Sequence, residues 1–198
     1  MQKRHKKRIN PNRIPVGKTF DYALCYETVT VAGLYYAWLL LLITLFEQEL
    51  VSPEVAFDIW NTVNSGERES ELRQKRLNHT LDWAEKSFNM RSPYRNVSAE
   101  KVKSIGDVKA FERKMLSNSL HASLCVICRD MVDAGIFPTD QIRRILLNVR
   151  ITRDEINLGY SSYKEIEERL LNGGLRMVKN PTDPFDFKLQ LLVPCADE

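Results

Sequence analysis

Three side chains able to bind a soft metal fall on one stripe of a helix-forming segment: His121, Cys125 and Cys128, at i, i+4 and i+7. Helical periodicity puts such positions on a common face. Imidazole and thiolate are zinc ligands, and Cys25 or Cys195 could supply a fourth. The context favours a plainer reading. Structural zinc sites take their ligands from turns and knuckles, no second ligand pair accompanies this one, and cysteine is an ordinary small buried residue. No metal or other cofactor is therefore expected. The Cys-x-x-Cys also differs from the redox motif, which sits at a helix N-terminus after a strand and not in mid-helix. Paired carboxylates, a Gly-rich phosphate loop, a nucleophile elbow and a Ser/His/Asp spacing do not stand out. With three histidines in the chain, acid–base chemistry has few candidates. The residues point to a protein that acts by binding rather than by catalysis.

Two features suggest nucleic acid as the ligand. Residues 1–18 carry Lys3, Arg4, Lys6, Lys7, Arg8, Arg13 and Lys18 and no acid. Those are seven of the 29 basic residues, leaving 22 against 26 acids, a net of −4 for the rest of the chain. A flexible basic arm on an acidic body can neutralise phosphates, or serve only as a solubilising tail. The second feature is a helix-turn-helix outline over Ile151–Leu171. Thr152–Ile156 would be its first helix, Gly159-Tyr160 the turn and Ser162–Leu171 the reading helix, with a wing behind it. The preceding segment adds Arg143, Arg144, Arg150 and Arg153. Against this, the first helix is about one turn short, and Glu165, Glu167 and Glu168 on the reading helix repel phosphate.

These groups need elements to hold them. The run Thr28–Phe46 carries no charge and just reaches the length of a bilayer span, with the basic arm before it obeying the positive-inside rule. A membrane anchor is thus one alternative. Thr28, Thr30, Gly33, Tyr35, Tyr36 and Thr44 dilute the run, and Glu27, Glu47 and Glu49 bracket it, so a buried core helix is preferred. Leu34–Asn64 resembles Leu120–Arg150 at a constant offset of 86 residues. Ser52-Pro53-Glu54 opens a helix by capping hydroxyl, first-turn proline and acid, and Pro138-Thr139-Asp140 stands in the same place. The apolar positions Ala56, Ile59, Trp60 and Val63 match Ile142, Ile145, Leu146 and Val149 at helical spacing. In the second copy Arg129, Asp130 and Asp133 fall where the first has Ile43, Thr44 and Glu47, which suits water better than lipid.

The fold expected is mainly α, with two repeated αα-hairpins forming a helical core and a small C-terminal β-hairpin. Residues 1–18 are the arm, 19–64 the first αα-hairpin, 65–107 a polar helical insert, 108–150 the second αα-hairpin, and 151–198 a helix plus the β-hairpin, all one domain from about residue 19. Within the insert, Ser70–Asn89 reads as a charged helix that Met90–Pro93 breaks, and Ser98–Lys101 starts a short one. Gly106-Asp107 leads into a long helix from about Val108. Ser162-x-x-Glu165 is a capping box, Gly173-Gly174 a stop, and Leu175–Lys179 with Phe185–Leu192 the hairpin.

Several segments resemble a group of short uncharacterised helical proteins encoded by phages and prophages of Gram-positive bacteria. They are Arg8-Ile9-Asn10-Pro11-Asn12-Arg13-Ile14-Pro15, Ala37-Trp38-Leu39, Ile59-Trp60-Asn61-Thr62-Val63-Asn64 and Gly159-Tyr160-Ser161-Ser162. The resemblance covers about half of the chain and brings no activity or site residues with it. It implies a mobile-element origin and the cytoplasm of a bacterial host. The expectation is a non-catalytic accessory protein that binds a protein partner. The alternatives are a nucleic-acid-binding regulator with a degenerate winged helix-turn-helix at 140–192, and a membrane-anchored protein with a span at 28–46.

Overall fold

The computed structural model describes residues 21–64, 70–94, 97, 102–180 and 186–192. The basic arm, the expected helix start at Ser98–Lys101, Phe185 and Cys195 lie outside the described residues. Within them the chain forms α1 (Tyr22–Glu47), α2 (Pro53–Asn64), α3 (Ser70–Phe88), α4 (Ile105–Asp133), α5 (Thr139–Leu158) and α6 (Tyr163–Asn172), then β1 (Leu175–Lys179) and β2 (Phe187–Leu191). The protein is mainly helical, with one small antiparallel sheet.

Local chemistry sets the boundaries and moves three of them from where periodicity puts them. The Asp21 carboxylate accepts from the Leu24 amide at 3.0 Å, so α1 opens at Tyr22, six residues before its uncharged run. Ser104 and Asp107 form a reciprocal capping box, which starts α4 at Ile105 rather than Val108 and takes Gly106 into its first turn. The separate helical turn expected at Thr152–Ile156 does not exist. Between Thr139 and Leu158 no glycine or proline interrupts the ladder and Thr152 is buried, so α5 runs unbroken until Gly159 ends it at φ 80. Other signals read true. Ser162 and Glu165 cap α6 reciprocally. Leu175 pairs with Leu191 through to Lys179 with Phe187, which leaves Leu189 buried and Lys188 and Gln190 exposed.

α1 is the centre of the molecule. Trp38, Leu39, Leu40, Leu41 and Leu42 are consecutive and fully buried, which a helix tolerates only when neighbours cover it all round. α4 lies along one side, α5 and α6 on others. α1 and α4 run parallel. Tyr22 meets Phe111 edge-on at 6.1 Å, Cys25 faces Glu112, and the Ser119 hydroxyl donates to the Thr30 carbonyl at 2.9 Å. At Gly33 the two backbones nearly touch. A Cβ there would stand 2.3 Å from Ser119 Oγ and 2.7 Å from the Leu120 nitrogen. α3 packs on α4, burying Ala84 completely, and Arg129 lies 5.0 Å over the Trp83 ring. α6 packs on α1 through Ile166 and Leu170, while α2 supports β2, with Trp60 against both Trp38 and Phe187.

The first and fourth helices end in the same way. After α1 the Leu50 amide reaches back to the Leu45 carbonyl, with Glu49 left-handed at φ 51; after α4 the Ile136 amide reaches the Met131 carbonyl, with Gly135 at φ 70. Both are Schellman stops, but only one carries the glycine the conformation favours.

Two outcomes follow from this packing. Gly33→Ala gains about 1 kcal/mol of helix propensity but must push apart two backbones, an overpacking cost of about 1–3 kcal/mol, so urea unfolding should register a net loss. Glu49→Gly removes left-handed strain of roughly 1–2 kcal/mol against about 0.5–1 kcal/mol of added chain entropy, so its midpoint should rise. Gly135→Ala should lower the midpoint, and a fall in Glu49→Gly would contradict the assignment of strain.

Candidate interaction surface

The His–Cys–Cys stripe faces inward. His121 and Cys125 are buried with Cys125 Sγ 3.8 Å from His121 Nε2, and Cys128 is fully buried one turn on. Burial pushes the Cys125 thiol up to about 12 and the Cys128 thiol further in the same direction, with the Cys125 charge adding to the latter. Both are therefore protonated side chains of the core at neutral pH, not poised thiolates. Burial, then the nearby Arg153 guanidinium, holds His121 below the ordinary imidazole value. Among the described residues no group of three His, Cys, Asp or Glu side chains is placed to hold a metal ion.

A second polar cluster ties the C-terminal elements to α1. The buried Tyr35 hydroxyl donates to Glu167 Oε1 at 2.6 Å. Lys179 Nζ lies 4.4 Å over the Tyr35 ring, and Phe187 meets that ring edge-on at 5.2 Å. Burial and the Glu167 bond drive the Tyr35 phenol well above its ordinary value. Four elements, α1, α6, β1 and β2, meet on this one phenol. Next to it Tyr36 stacks on Tyr163, centroids 3.9 Å apart.

The four arginines of α5 do not form one patch. Arg143 donates to the Ser87 carbonyl of α3 at 2.9 Å and lies 3.7 Å from Asp140. Arg150 faces Asp154 at 3.9 Å. At about 100° per residue, Arg153 points to the side of the helix opposite Arg144, and it is half-buried beside His121 while Arg144 is exposed. The side chains Lys3, Arg4, Lys6, Lys7, Arg8 and Arg13 lie outside the described residues. α6, the supposed reading helix, turns Ile166 and Leu170 into the core and leaves Lys164, Glu165, Glu168 and Arg169 exposed. Between α5 and α6 opens a depression of about 460 Å³ lined by Glu155, Tyr160, Ser161, Glu165, Glu168, Arg169 and Asn172. Its one base, Arg169, is paired with Glu47 of α1, so the carboxylates set its charge.

α5 also has a second apolar face, which the sequence analysis does not single out. Ile142, Ile145, Leu146 and Val149 are buried against the core. On the opposite side Leu147, Ile151 and Leu158 are 60%, 50% and 70% exposed. Their spacing of i, i+4 and i+11 keeps them within about 40° of one another around the axis. Tyr160, 80% exposed, continues the stripe past the Gly159 turn. Single exposed apolar residues are ordinary; several aligned along two faces of one helix mark a contact surface.

Comparison with family models, with curated proteins and with solved structures finds no match for this chain.

The buried imidazole makes stability depend on pH in a set direction. A histidine whose folded value is depressed stays neutral in the native state while the unfolded chain takes up the proton. Its contribution is fully present above pH 6.5 and is lost as pH falls toward the folded value. The melting temperature should drop between about pH 7.5 and about pH 5.5, and His121→Leu should flatten that drop whatever its effect at neutral pH. Equal drops in both proteins would show that the imidazole is freely protonated in the fold.

Proposed function

We propose that this is a non-catalytic accessory protein of a phage or prophage, working in the bacterial cytoplasm, that engages a protein partner across the outer face of α5. The observation carrying this reading is the stripe Leu147, Ile151, Leu158 and Tyr160, held on a helix whose other face is locked into the core. Such a surface costs solubility and contributes nothing to the core, and a partner that covers it removes apolar area from water at about 25 cal/mol per Å². The nucleophilic candidates weigh against an enzyme, since Cys125, Cys128 and Tyr35 are buried and held protonated. A winged helix-turn-helix gains no support from a reading helix flanked by an acidic depression or from arginines spread around α5. α1 is long and apolar enough to cross a membrane, but α4, α5 and α6 cover its most apolar stretch, which supports its use as a core helix.

We also propose that the core arose by duplication of a helical unit, with α1–α2 and α4–α5 as its two αα-hairpins. Several matches at the offset of 86 support it. The parallel contact between Gly33 and Ser119 keeps that offset, the two Schellman stops fall at Glu49 and Gly135, and the second helices bury Ala56, Ile59, Trp60 and Val63 where α5 buries Ile142, Ile145, Leu146 and Val149. The packing is reciprocal as well: α5 and α6 lie on α1, while α2 and α3 lie on α4. That is the pattern of a two-fold axis running between α1 and α4.

The binding reading is tested with the full chain expressed without detergent. Leu147→Asp with Ile151→Asp should leave the circular-dichroism spectrum and melting temperature near those of the parent, since both side chains are at least half exposed. Cross-linking in host cells should show a protein adduct with the parent and lose it with the double variant. Adducts unchanged by the double variant would move the interface elsewhere, and recovery of the parent only from membranes would reverse the assignment of α1.

A further inference from the structure

We propose that the partner seated on the α5 stripe is a second copy of this chain, in a two-fold antiparallel helix pair. The proposal rests on the protein-binding reading above and names its occupant. The argument is charge complementarity along one helix. The exposed face of α5 carries Asp140, Arg143 and Arg144 in its N-terminal half and Arg150, Asp154 and Glu155 in its C-terminal half. Asp140 pairs with Arg143 and Arg150 with Asp154, so the charges left over are Arg144 toward the N-terminus and Glu155 toward the C-terminus. Parallel pairing of two such faces sets like charge against like. Antiparallel pairing about a two-fold axis sets each charge against its opposite, because the residues opposed are those whose numbers add to about 298.

The helical geometry allows this register. With Leu147 and Ile151 at the centre of the seam, Leu147 packs on Ile151 of the second copy, and the two-fold repeats the contact. At about 100° per residue, Arg144 and Glu155 lie on one flank of the seam, Arg143 and Asp154 on the other. A two-fold axis across an antiparallel pair keeps each flank on its own side, so Arg144 meets Glu155 of the second copy and Arg143 meets its Asp154. Arg144 and Glu155 form no ion pair with another described residue and are free to make this one. Arg143 already bonds α3, and Asp154 already faces Arg150, so the first flank discriminates more cleanly than the second. A 20-residue helix gives a seam about 30 Å long. One such seam is smaller than the interfaces of permanent dimers, which bury about 2,000–5,000 Å². The pair should be a reversible dimer with a dissociation constant on the order of 10 μM.

Sedimentation equilibrium of the purified full chain, at low salt and over about 1–200 μM, tests it. The parent should show a monomer–dimer equilibrium. Each two-fold interface contains the Arg144–Glu155 pair twice, so Arg144→Glu or Glu155→Arg alone should weaken the dimer by about tenfold. The two reversals together in one chain should restore it to within about threefold. Circular dichroism checks that all three variants remain folded. A parent that stays monomeric at every concentration overturns the proposal, as do singles that dimerise like the parent or a double reversal no better than the singles. If the purified parent is monomeric while cellular adducts still depend on Leu147 and Ile151, the second-copy proposal fails and the protein-binding reading stands. If neither depends on those residues, both fail.

Discussion

Two helices that point the same way cannot be joined by a tight turn, and α1 and α4 point the same way. Their close approach at Gly33 and Ser119 sets the terms for everything around them. The chain has to travel back the length of α1 before it can lay α4 beside it, and α2 and α3 make that journey. Once α4 is placed, the apolar belt of α1 is covered on one side only. α5 and α6 close the rest, which is why a run as oily as Trp38–Leu42 can be wholly buried in a chain of this size. A glycine at the crossing costs helix propensity, and the fold accepts the cost because no side chain fits between the backbones.

The same arrangement divides α5 into two faces with different duties. Its inner face, Ile142 to Val149, is spoken for by α1. Its outer face is the end of the packing, with nothing of the described chain laid over it, and there the apolar residues are spaced as regularly as those within. The polar clusters nearer the core, Tyr35 with Glu167 and His121 with Cys125, hold elements together. They satisfy the rule that buried polar groups need partners.

Much of this was legible in the residues, and the exceptions have physical causes. The Ser162–Glu165 capping box, the Gly159 and Gly173 stops and the alternation in β2 depend on neighbours within a few positions, so they read directly. The Ser104–Asp107 box depends on neighbours just as local and is not among the signals read from the sequence. The preference for a covered α1 came from its flanking acids and its resemblance to a charged counterpart. The direction in which α1 and α4 pack was invisible, because Gly33 looks like any weak helix residue until Ser119, 86 positions away, is set against it. The break assumed before Thr152 came from reading a charged stretch as a separate element, when burial of Thr152 and the absence of glycine carry the helix through it. The site went unseen for a different reason. Metal ligands and arginines announce themselves by type, whereas Leu147, Ile151 and Leu158 matter only by lying opposite a face that is already filled.

Parallel packing also has a cost in time. Gly33 leaves the ribosome 86 residues ahead of Ser119, and at roughly 5–20 residues per second the oily helix waits about 4–17 s for its cover. During that interval a newly made α1 presents to the cell much of what a membrane-bound segment presents: a long helix with the uncharged run Thr28–Phe46, preceded by lysines and arginines, with no protein around it. The Thr, Tyr and Gly residues spread through its first half, and the acids at its ends, then acquire a second meaning. They make the segment less apolar than an unbroken run of leucines and isoleucines of the same length.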